Sequence, residues 1–344
     1  EVLSVAGGQT VMKIGGEVTY NFPGRIAFQS VPENLMSKPT LVWKLESKLA
    51  KQKVEATYLT QSLNWRSDYV FVINDADSAG DLTGWVTLVN NSGASYKNAR
   101  LKLVAGDVQR VSAGGGEDSD LGMLQSAHPT TGARFQEEGF FEYHLYTLGQ
   151  PTDVLENEQK QVTLLEAKNA KVQKKLIYFG QQYWYRGRHG EVQKNQKVGV
   201  YLDVQNTKAN GLGIPLPKGT VRVYKADKSG AKQFIGEDNI DHTPRDEKVR
   251  IKMGEAFDVV GDRKQMEWRT LGTCSSESTW EIELRNHKDQ ASRVEIFEPI
   301  GGDWTMVEST HKHDKKDAHT FTFDVNVPAN GKTKIKYKIR VKWC

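Results

Sequence analysis

The chain has 344 residues, of which 38% are hydrophobic and 26% are charged, with 47 basic and 43 acidic side chains. The formal net charge of +4 is too small to indicate a nucleic-acid-binding protein. No apolar run approaches the roughly 18 residues that a membrane-spanning helix requires. We therefore expect neither a nucleic-acid partner nor a membrane span, and the length is sufficient for two domains.

Short apolar segments separated by turn residues recur along the chain. Turn signals are explicit at Asn91-Ser92-Gly93, Asn210-Gly211 and Gly301-Gly302-Asp303. The predicted strands lie at residues 41–45, 54–63, 69–73, 85–89, 101–104, 141–148, 198–204, 221–224, 280–284, 294–297, 321–327 and 335–343. This spacing predicts an all-β fold with two β-sandwich (immunoglobulin-like) domains.

Two stretches interrupt this pattern. Residues 113–139 are rich in Gly, Ser, Thr and acidic residues, a composition that predicts a long low-complexity loop insertion at the surface. Residues 186–196 are polar and follow an aromatic cluster, which favours a domain junction. We expect an N-terminal domain over residues 1–190, with the insertion, and a C-terminal domain over residues 191–344.

The final segment, residues 332–344, alternates almost without interruption, as a half-buried strand does. Its apolar face consists of Ile335, Tyr337, Ile339, Val341 and Trp343. Its opposite face consists of Lys334, Lys336, Lys338, Arg340 and Lys342. This cationic face is a candidate binding surface for an anionic polymer. The interpretation that we favour is a solvated face whose lysines prevent edge-to-edge aggregation.

Cys274 and Cys344 are the only two cysteines. Neither belongs to a CxxC motif, so metal binding and redox catalysis have no support from spacing. In an exported protein the two would form a disulfide. Two free thiols, or a terminal cysteine that bonds to another subunit, are the alternatives.

Motifs of enzyme active sites are missing from the sequence: there is no HExxH, GxSxG, P-loop, dinucleotide-binding or CxxCH pattern. We therefore predict a non-enzymatic protein without a cofactor. A hydrolase stays open as an alternative, because a catalytic pair of carboxylates leaves no local signature.

The segment from Asp75 to Asp81 begins like a calcium loop, with acidic residues two positions apart. Ala79 at the fifth position and Val86 at the twelfth exclude an EF-hand. A looser metal site formed by Asp75, Asp77 and Asp81 at a hairpin tip is one interpretation, and an exposed polar turn is the other.

Three segments resemble a known family: residues 57–69 (TYLTQSLNWRSDY), residues 82–93 (LTGWVTLVNNSG) and residues 101–108 (LKLVAGDV). Residues 140–148 (FFEYHLYTL) resemble the next block of the same family. The family is bacterial, is of unknown function, occurs in exported proteins and is related to mucoidy-inhibitor-A-like proteins. The resemblance implies an exported, β-rich protein of the cell envelope and supplies no activity.

From these features we expect a structural or adhesive protein that is secreted, periplasmic or at the cell surface. Its expected partners are copies of itself, in a homo-oligomer or an extracellular filament, or a cell-surface polymer. A binding module for an anionic glycan or surface polymer and an uncharacterised hydrolase are the alternative functions.

Overall fold

The computed structural model describes residues 2–6, 9–20, 40, 42–106, 129–130 and 135–344. The chain divides into two compact units, Glu1–Thr57 and Tyr58–Cys344. The first unit contains an antiparallel sheet of β1 (Val2–Ala6), β2 (Gln9–Ile14) and β3 (Glu17–Tyr20). Gly15 and Gly16, with φ of 57° and 94°, form the two-residue turn between β2 and β3.

The second unit is built from strands and two short 3₁₀ helices. Its strands are β4 (Leu63–Ile73), β5 (Ala79–Asn90), β6 (Tyr96–Ala99), β7 (Lys102–Ala105), β8 (Pro129–Thr130), β9 (Phe135–Phe140), β10 (Tyr143–Leu148), β11 (Thr152–Val154), β12 (Glu158–Phe179), β13 (Glu191–Gln205), β14 (Gly219–Ala226), β15 (Lys232–Ile240), β16 (Lys248–Gly272), β17 (Ser275–Asn286), β18 (Ser292–Pro299), β19 (Asp303–Ser309), β20 (His313–Asp317), β21 (Thr320–Val327) and β22 (Gly331–Lys342). The 3₁₀ helices are η1 (Gln182–Arg186) and η2 (Lys208–Asn210).

Most of these strands join one hydrogen-bonded network. Its main order is β15-β14-β4-β5-β12-β13-β16-β17-β22-β19. In addition, β18 pairs with β12 and β21, β20 pairs with β21, and β8 pairs with β12. Two small sheets, β7-β10-β9 and β11-β6, complete the described part of the unit. The all-β prediction is confirmed, and the finer assignment to two immunoglobulin-like sandwiches stays a prediction.

Strand β12 changes partners along its length. Residues from Glu158 to Lys171 pair with β5, and residues from Val172 to Ile177 pair with β13. Strand β16 pairs with β13 over residues 248–264 and with β17 from Val259 to Gly272, so the two partners overlap over residues 259–264. These long strands therefore contribute side chains to two hydrophobic cores.

The two cores each combine distant parts of the chain. The first includes Tyr69, Phe71 and Val86 together with Val221 and Ile251. The second is built around Tyr178, Trp280, Ile296, Phe323 and Ile339. Residues from both sides of the expected junction at 190/191 thus contribute to each core.

The packing of the first core explains Gly84, one glycine of the segments that resemble the family. Gly84 lies directly opposite Tyr69 in the β4–β5 register. A Cβ atom at this position would lie 2.9 Å from the Tyr69 ring, closer than packing permits. Tyr69 itself is fully buried, and its hydroxyl donates to the Pro217 carbonyl at 2.8 Å. This segment therefore acts as a determinant of the fold.

The strand predictions were wrong in two places. Residues 42–45 and 54–62 are not in strands, whereas residue 41 lies outside the described residues. Leu45 and Leu59 are 62% and 91% exposed, so these apolar side chains bury no face against a neighbour. Of the predicted insertion at 113–139, residues 113–128 and 131–134 lie outside the described residues, while residues 135–139 belong to β9.

Candidate functional site

The cations of β22, namely Lys334, Lys336, Lys338, Arg340 and Lys342, form one face of the strand, which we name the β22 cation row. Strand β17 runs beside it with carboxylates on the same face. Lys334 Nζ lies 3.2 Å from Glu283 Oε2, and Lys336 Nζ lies 3.0 Å from Glu281 Oε2. Hydrogen bonds from these lysines lower the pKa of both carboxyl groups.

The rest of the row also faces acidic residues. Arg340 Nη2 lies 2.9 Å from Glu277 Oε2. On the other side of β22, Lys338 is opposite Glu308, and Lys342 is opposite the aspartate that begins β19. The structure therefore places the row where neighbouring carboxylates offset much of its charge.

The predicted metal-binding aspartates lie at the β4–β5 turn, where they face lysines. Asp77 Oδ2 lies 2.6 Å from Lys174 Nζ, and its other oxygen lies 2.5 Å from Lys225 Nζ. Burial would raise the pKa of Asp77, but the two lysines outweigh it and lower the pKa. Asp81 accepts hydrogen bonds from a lysine and a backbone N–H of β12, and the Asp75 carbonyl accepts from Lys225.

These contacts do not support a calcium site, because ammonium groups occupy the positions that a cation would take. Within the described ranges, no three His, Cys, Asp or Glu side chains are grouped so that they could hold a metal ion. In the same part of the chain, no helix has the length and apolar character needed to cross a membrane.

Cys274 and Cys344 form a disulfide, with their Cα atoms 5.8 Å apart and 70 positions apart in the chain. Cys274 lies in the turn between β16 and β17, and Cys344 follows β22. The Trp343 N–H donates to the Cys274 carbonyl at 3.0 Å, and the Trp343 ring stacks on Trp268 with 6.5 Å between centroids. The disulfide therefore fastens the end of the chain to the β16–β17 hairpin.

Sequence reasoning missed a buried polar network in the second core. Arg263 Nη2 lies 2.6 Å from Glu298 Oε1, and both side chains are fully buried. The Tyr185 hydroxyl donates to Glu298 Oε2 at 2.7 Å and lies 2.7 Å from the Tyr337 hydroxyl. Burial raises the pKa of Glu298, and Arg263 and Tyr185 offset this effect only in part.

Aromatic rings enclose the guanidinium of this network. Its central carbon lies 5.0 Å from the centroids of both Tyr178 and Trp184. A carboxylate with a raised pKa often indicates catalysis. Here neither member of the Arg263–Glu298 pair is exposed, so a substrate would have no access, and we assign the network to stability.

A cavity of about 370 Å³ opens where β12 passes from β5 to β13. Asp203 lines it, with only 4% of its side chain exposed. Arg250 donates to both Asp203 oxygens, at 2.7 and 2.8 Å, and the ammonium groups of Lys248 and Lys175 lie 3.6 and 3.7 Å away. Burial raises the pKa of Asp203, but these cations outweigh it and lower the pKa.

The other wall of this cavity is fixed by Asn210 of η2. Its side chain donates to the carbonyls of Lys171 and Gln205, at 3.1 and 3.0 Å, and accepts from the Lys171 N–H. Asn210 thus connects β12 to β13 at the point where their pairing begins.

A second cavity, of about 210 Å³, shares Gln173 with the first. Lys174, Lys175, Arg293, Glu295, Lys316 and Asp324 contribute to its lining. We name the two cavities together the β12 groove, which follows β12 from Lys171 to Leu176. Its residues come from well-separated segments of the chain, so no local sequence pattern could have revealed it.

Two histidines line a third cavity, of about 190 Å³. His144 Nδ1 lies 2.8 Å from Glu137 Oε1, across the β9–β10 pair. His242 Nδ1 accepts the Lys218 N–H at 3.2 Å. A carboxylate in this position orients an imidazole and leaves its Nε2 for proton transfer.

A family model for a domain of unknown function (DUF4139) matches residues 54–344. The chain belongs to this family. The match covers all of the second compact unit, which begins at Tyr58. The expectation of a family without an established function is thereby confirmed. Among the curated proteins, none matches the chain.

Proposed function

We propose that this chain is an exported structural or adhesive protein of the cell envelope, which acts through binding and self-association. The observation that carries the proposal is the Cys274–Cys344 disulfide. Disulfides persist in oxidising compartments and are rare in the cytosol. This bond therefore favours a secreted, periplasmic or cell-surface location, which agrees with the export that the sequence resemblance to mucoidy-inhibitor-A-like proteins implies.

Strand β15 supports the self-association part of the proposal. It lies at one end of the main strand order and presents Phe234 and Ile235, which are 54% and 39% exposed. Ile235 is the extra residue of a β-bulge, because Val223 is opposite Gly236 and the next residue of β14 is opposite Phe234. Exposed apolar side chains on an edge strand favour pairing with another copy.

Strand β20, at another end of the network, is better protected against pairing. It has the sequence HDKKD and presents no apolar side chain. Strand β19 has a bulge between Met306 and Glu308, as β15 has at Ile235, so the bulge does not distinguish these two edges. Charged side chains discourage edge-to-edge association, so the exposed Phe234 and Ile235 favour β15 over β20 as the self-association edge.

Light scattering after size-exclusion chromatography tests this assembly. We expect the molar mass of the wild-type protein to rise above that of one chain as concentration increases, and Phe234→Lys to remain monomeric. Phe257→Lys is the matched control, because Phe257 is 83% exposed on β16. A wild-type protein that stays monomeric at high concentration, or an equal effect of both variants, would contradict self-association through β15.

The His144–Glu137 pair favours a second candidate function, that of a hydrolase. His144 lines a cavity of about 190 Å³ and, with Glu137 at its Nδ1, could activate a water molecule at its Nε2. Screening of ester, amide and glycoside substrates with wild-type protein and His144→Ala tests this candidate. Turnover that disappears in the variant supports a hydrolase, and equal rates for the two proteins would eliminate it.

A further inference from the structure

We infer that the β12 groove binds an anionic polysaccharide that bears carboxylates. This inference extends the proposed envelope function by assigning a ligand class and a site. The sequence offered the β22 cation row as a candidate surface for an anionic polymer. The present inference instead places the binding surface on β12, β13, β16 and β18.

The groove has a surplus of positive charge. Seven basic side chains surround it: Lys171, Lys174, Lys175, Lys248, Arg250, Arg293 and Lys316. Four carboxylates accompany them: Asp77, Asp203, Glu295 and Asp324. Seven against four leaves a surplus of three positive charges, close to the formal +4 of the whole chain. A concave surface with such a surplus attracts an anionic ligand.

The cations are not all neutralised by their neighbours. Three of them, Lys175, Lys248 and Arg250, lie near the carboxylate of Asp203, and Lys175 shares a second carboxylate, that of Glu295, with Lys316. Lys171 is exposed and makes no ion pair with any other residue that the structure describes. Lys174 and Arg250 each have a carboxylate within 2.7 Å, as Lys334 and Lys336 have within 3.2 Å in the β22 cation row, so the surplus of the groove comes from the shared carboxylates and from Lys171.

Aromatic side chains lie beside this charge. The Phe179 ring lies 6.1 Å from the Tyr201 ring and 5.4 Å from the Phe297 ring, centroid to centroid, and Phe179 is 38% exposed. Tyr201 is directly opposite Lys175 in the β12–β13 register, and the Arg250 guanidinium lies 5.8 Å from its ring. Rings offer an apolar surface for the C–H face of a sugar, next to cations for its carboxylate.

Single-stranded nucleic acid also combines aromatic stacking with positive charge. A polysaccharide is favoured for two reasons. The three rings meet edge to face or tilted, with interplanar angles of 72° and 54°, rather than as parallel platforms for successive bases. The disulfide also favours a compartment in which glycans are the abundant polyanions.

Isothermal titration calorimetry with polygalacturonate tests the inference. The full, oxidised chain is titrated at several salt concentrations. We expect salt-sensitive binding of polygalacturonate and none of neutral dextran. Lys171→Glu/Lys316→Glu, which reverses one cation in each cavity, should weaken binding by about tenfold or more. Lys336→Glu/Lys338→Glu is the matched control in the β22 cation row and should bind like the wild type. Circular dichroism melting verifies that each variant folds.

Three results would overturn the inference: no binding of polygalacturonate, an equal loss in the control variant, or tighter binding of a single-stranded oligonucleotide. These results concern only the groove. Light scattering and the location of the protein test the proposed structural function separately, so the two can fail independently.

Discussion

Arg263 and Glu298 face each other across the second core, 2.6 Å apart, at a site that solvent does not reach. Removing one partner of such a pair leaves an uncompensated buried charge, at a cost of about 3–5 kcal/mol. We therefore predict that Glu298→Ala lowers the free energy of unfolding by this amount in urea denaturation.

Arg293→Ala is the matched control for that substitution. Arg293 pairs with Asp324, but its side chain is 79% exposed. Exposed pairs contribute about 0–1 kcal/mol, so this variant should be close to the wild type. A loss below about 1 kcal/mol for Glu298→Ala would show that the buried pair is not needed for stability.

Gly180 precedes η1 and packs against the same pair. A Cβ atom there would lie 2.7 Å from Arg263 Nη1 and would overlap the Glu298 carboxylate. Overpacking of this kind costs about 1–3 kcal/mol, which Gly180→Ala should show as a lower denaturation midpoint. At Gly139 a Cβ atom meets nothing within 4 Å, so Gly139→Ala should cause no loss. Equal effects of the two variants would refute this packing.

Asp203 predicts a pH dependence of stability. Its folded-state pKa lies below the ordinary 3.8, so its contribution is present above that pH and is lost as the pH falls through the folded-state value. Hydrogen bonds to charged groups contribute about 1.5–3 kcal/mol, and Asp203→Asn should cost about this much at pH 7. The difference between wild type and variant should shrink in acid, as measured by urea denaturation from pH 7 to pH 2.5. A difference that stays constant over this range would contradict the assignment.

The disulfide should stabilise the fold in addition to indicating an oxidising compartment. Disulfides typically stabilise a protein by about 2–4 kcal/mol. Cys274→Ser, Cys344→Ser and the double variant should each lose this amount, because any one change removes the same bond. As a control, the wild type and the three variants should give equal melting curves under reducing conditions. A double variant that is much less stable than either single variant would mean that the cysteines act separately.

The sequence was most informative where one face of a strand is buried. The alternation of residues 335–343 correctly predicted β22, since Ile335, Tyr337 and Ile339 are buried and the intervening cations face outward. The carboxylates of β17 could not be predicted as partners of these cations. The pairing of β22 with β17 depends on the register of segments that are distant in the sequence.

The buried ion pair did leave a signal that local reasoning overlooked. Glu298 shares its alternation with Val294 and Ile296, both fully buried, which places a carboxylate on an apolar face. In β16, Arg263 has the same parity as the buried Val259. A charge on the buried face of a strand requires a partner. Which residue supplies it depends on how β16 and β18 are brought together, and this information is not local.

The β12 groove, like the buried ion pair, could not be predicted from local sequence patterns. Asp203 lies in the predicted strand 198–204, whereas Lys171 and Lys175 lie in none of the predicted strands. Only the pairing of β12 with β13, and of β13 with β16, places Gln173, Asp203 and Arg250 side by side. The candidate surface is therefore a product of sheet register.

The central claim is that this chain functions outside the cytosol as a disulfide-bonded protein. The most direct test is to alkylate free thiols in intact cells at harvest, fractionate them, and analyse the chain by mass spectrometry without reduction. We predict a cross-linked peptide that joins Cys274 to Cys344, recovered from the envelope or extracellular fraction. Two alkylated cysteines in a chain recovered from the cytosol would contradict the claim.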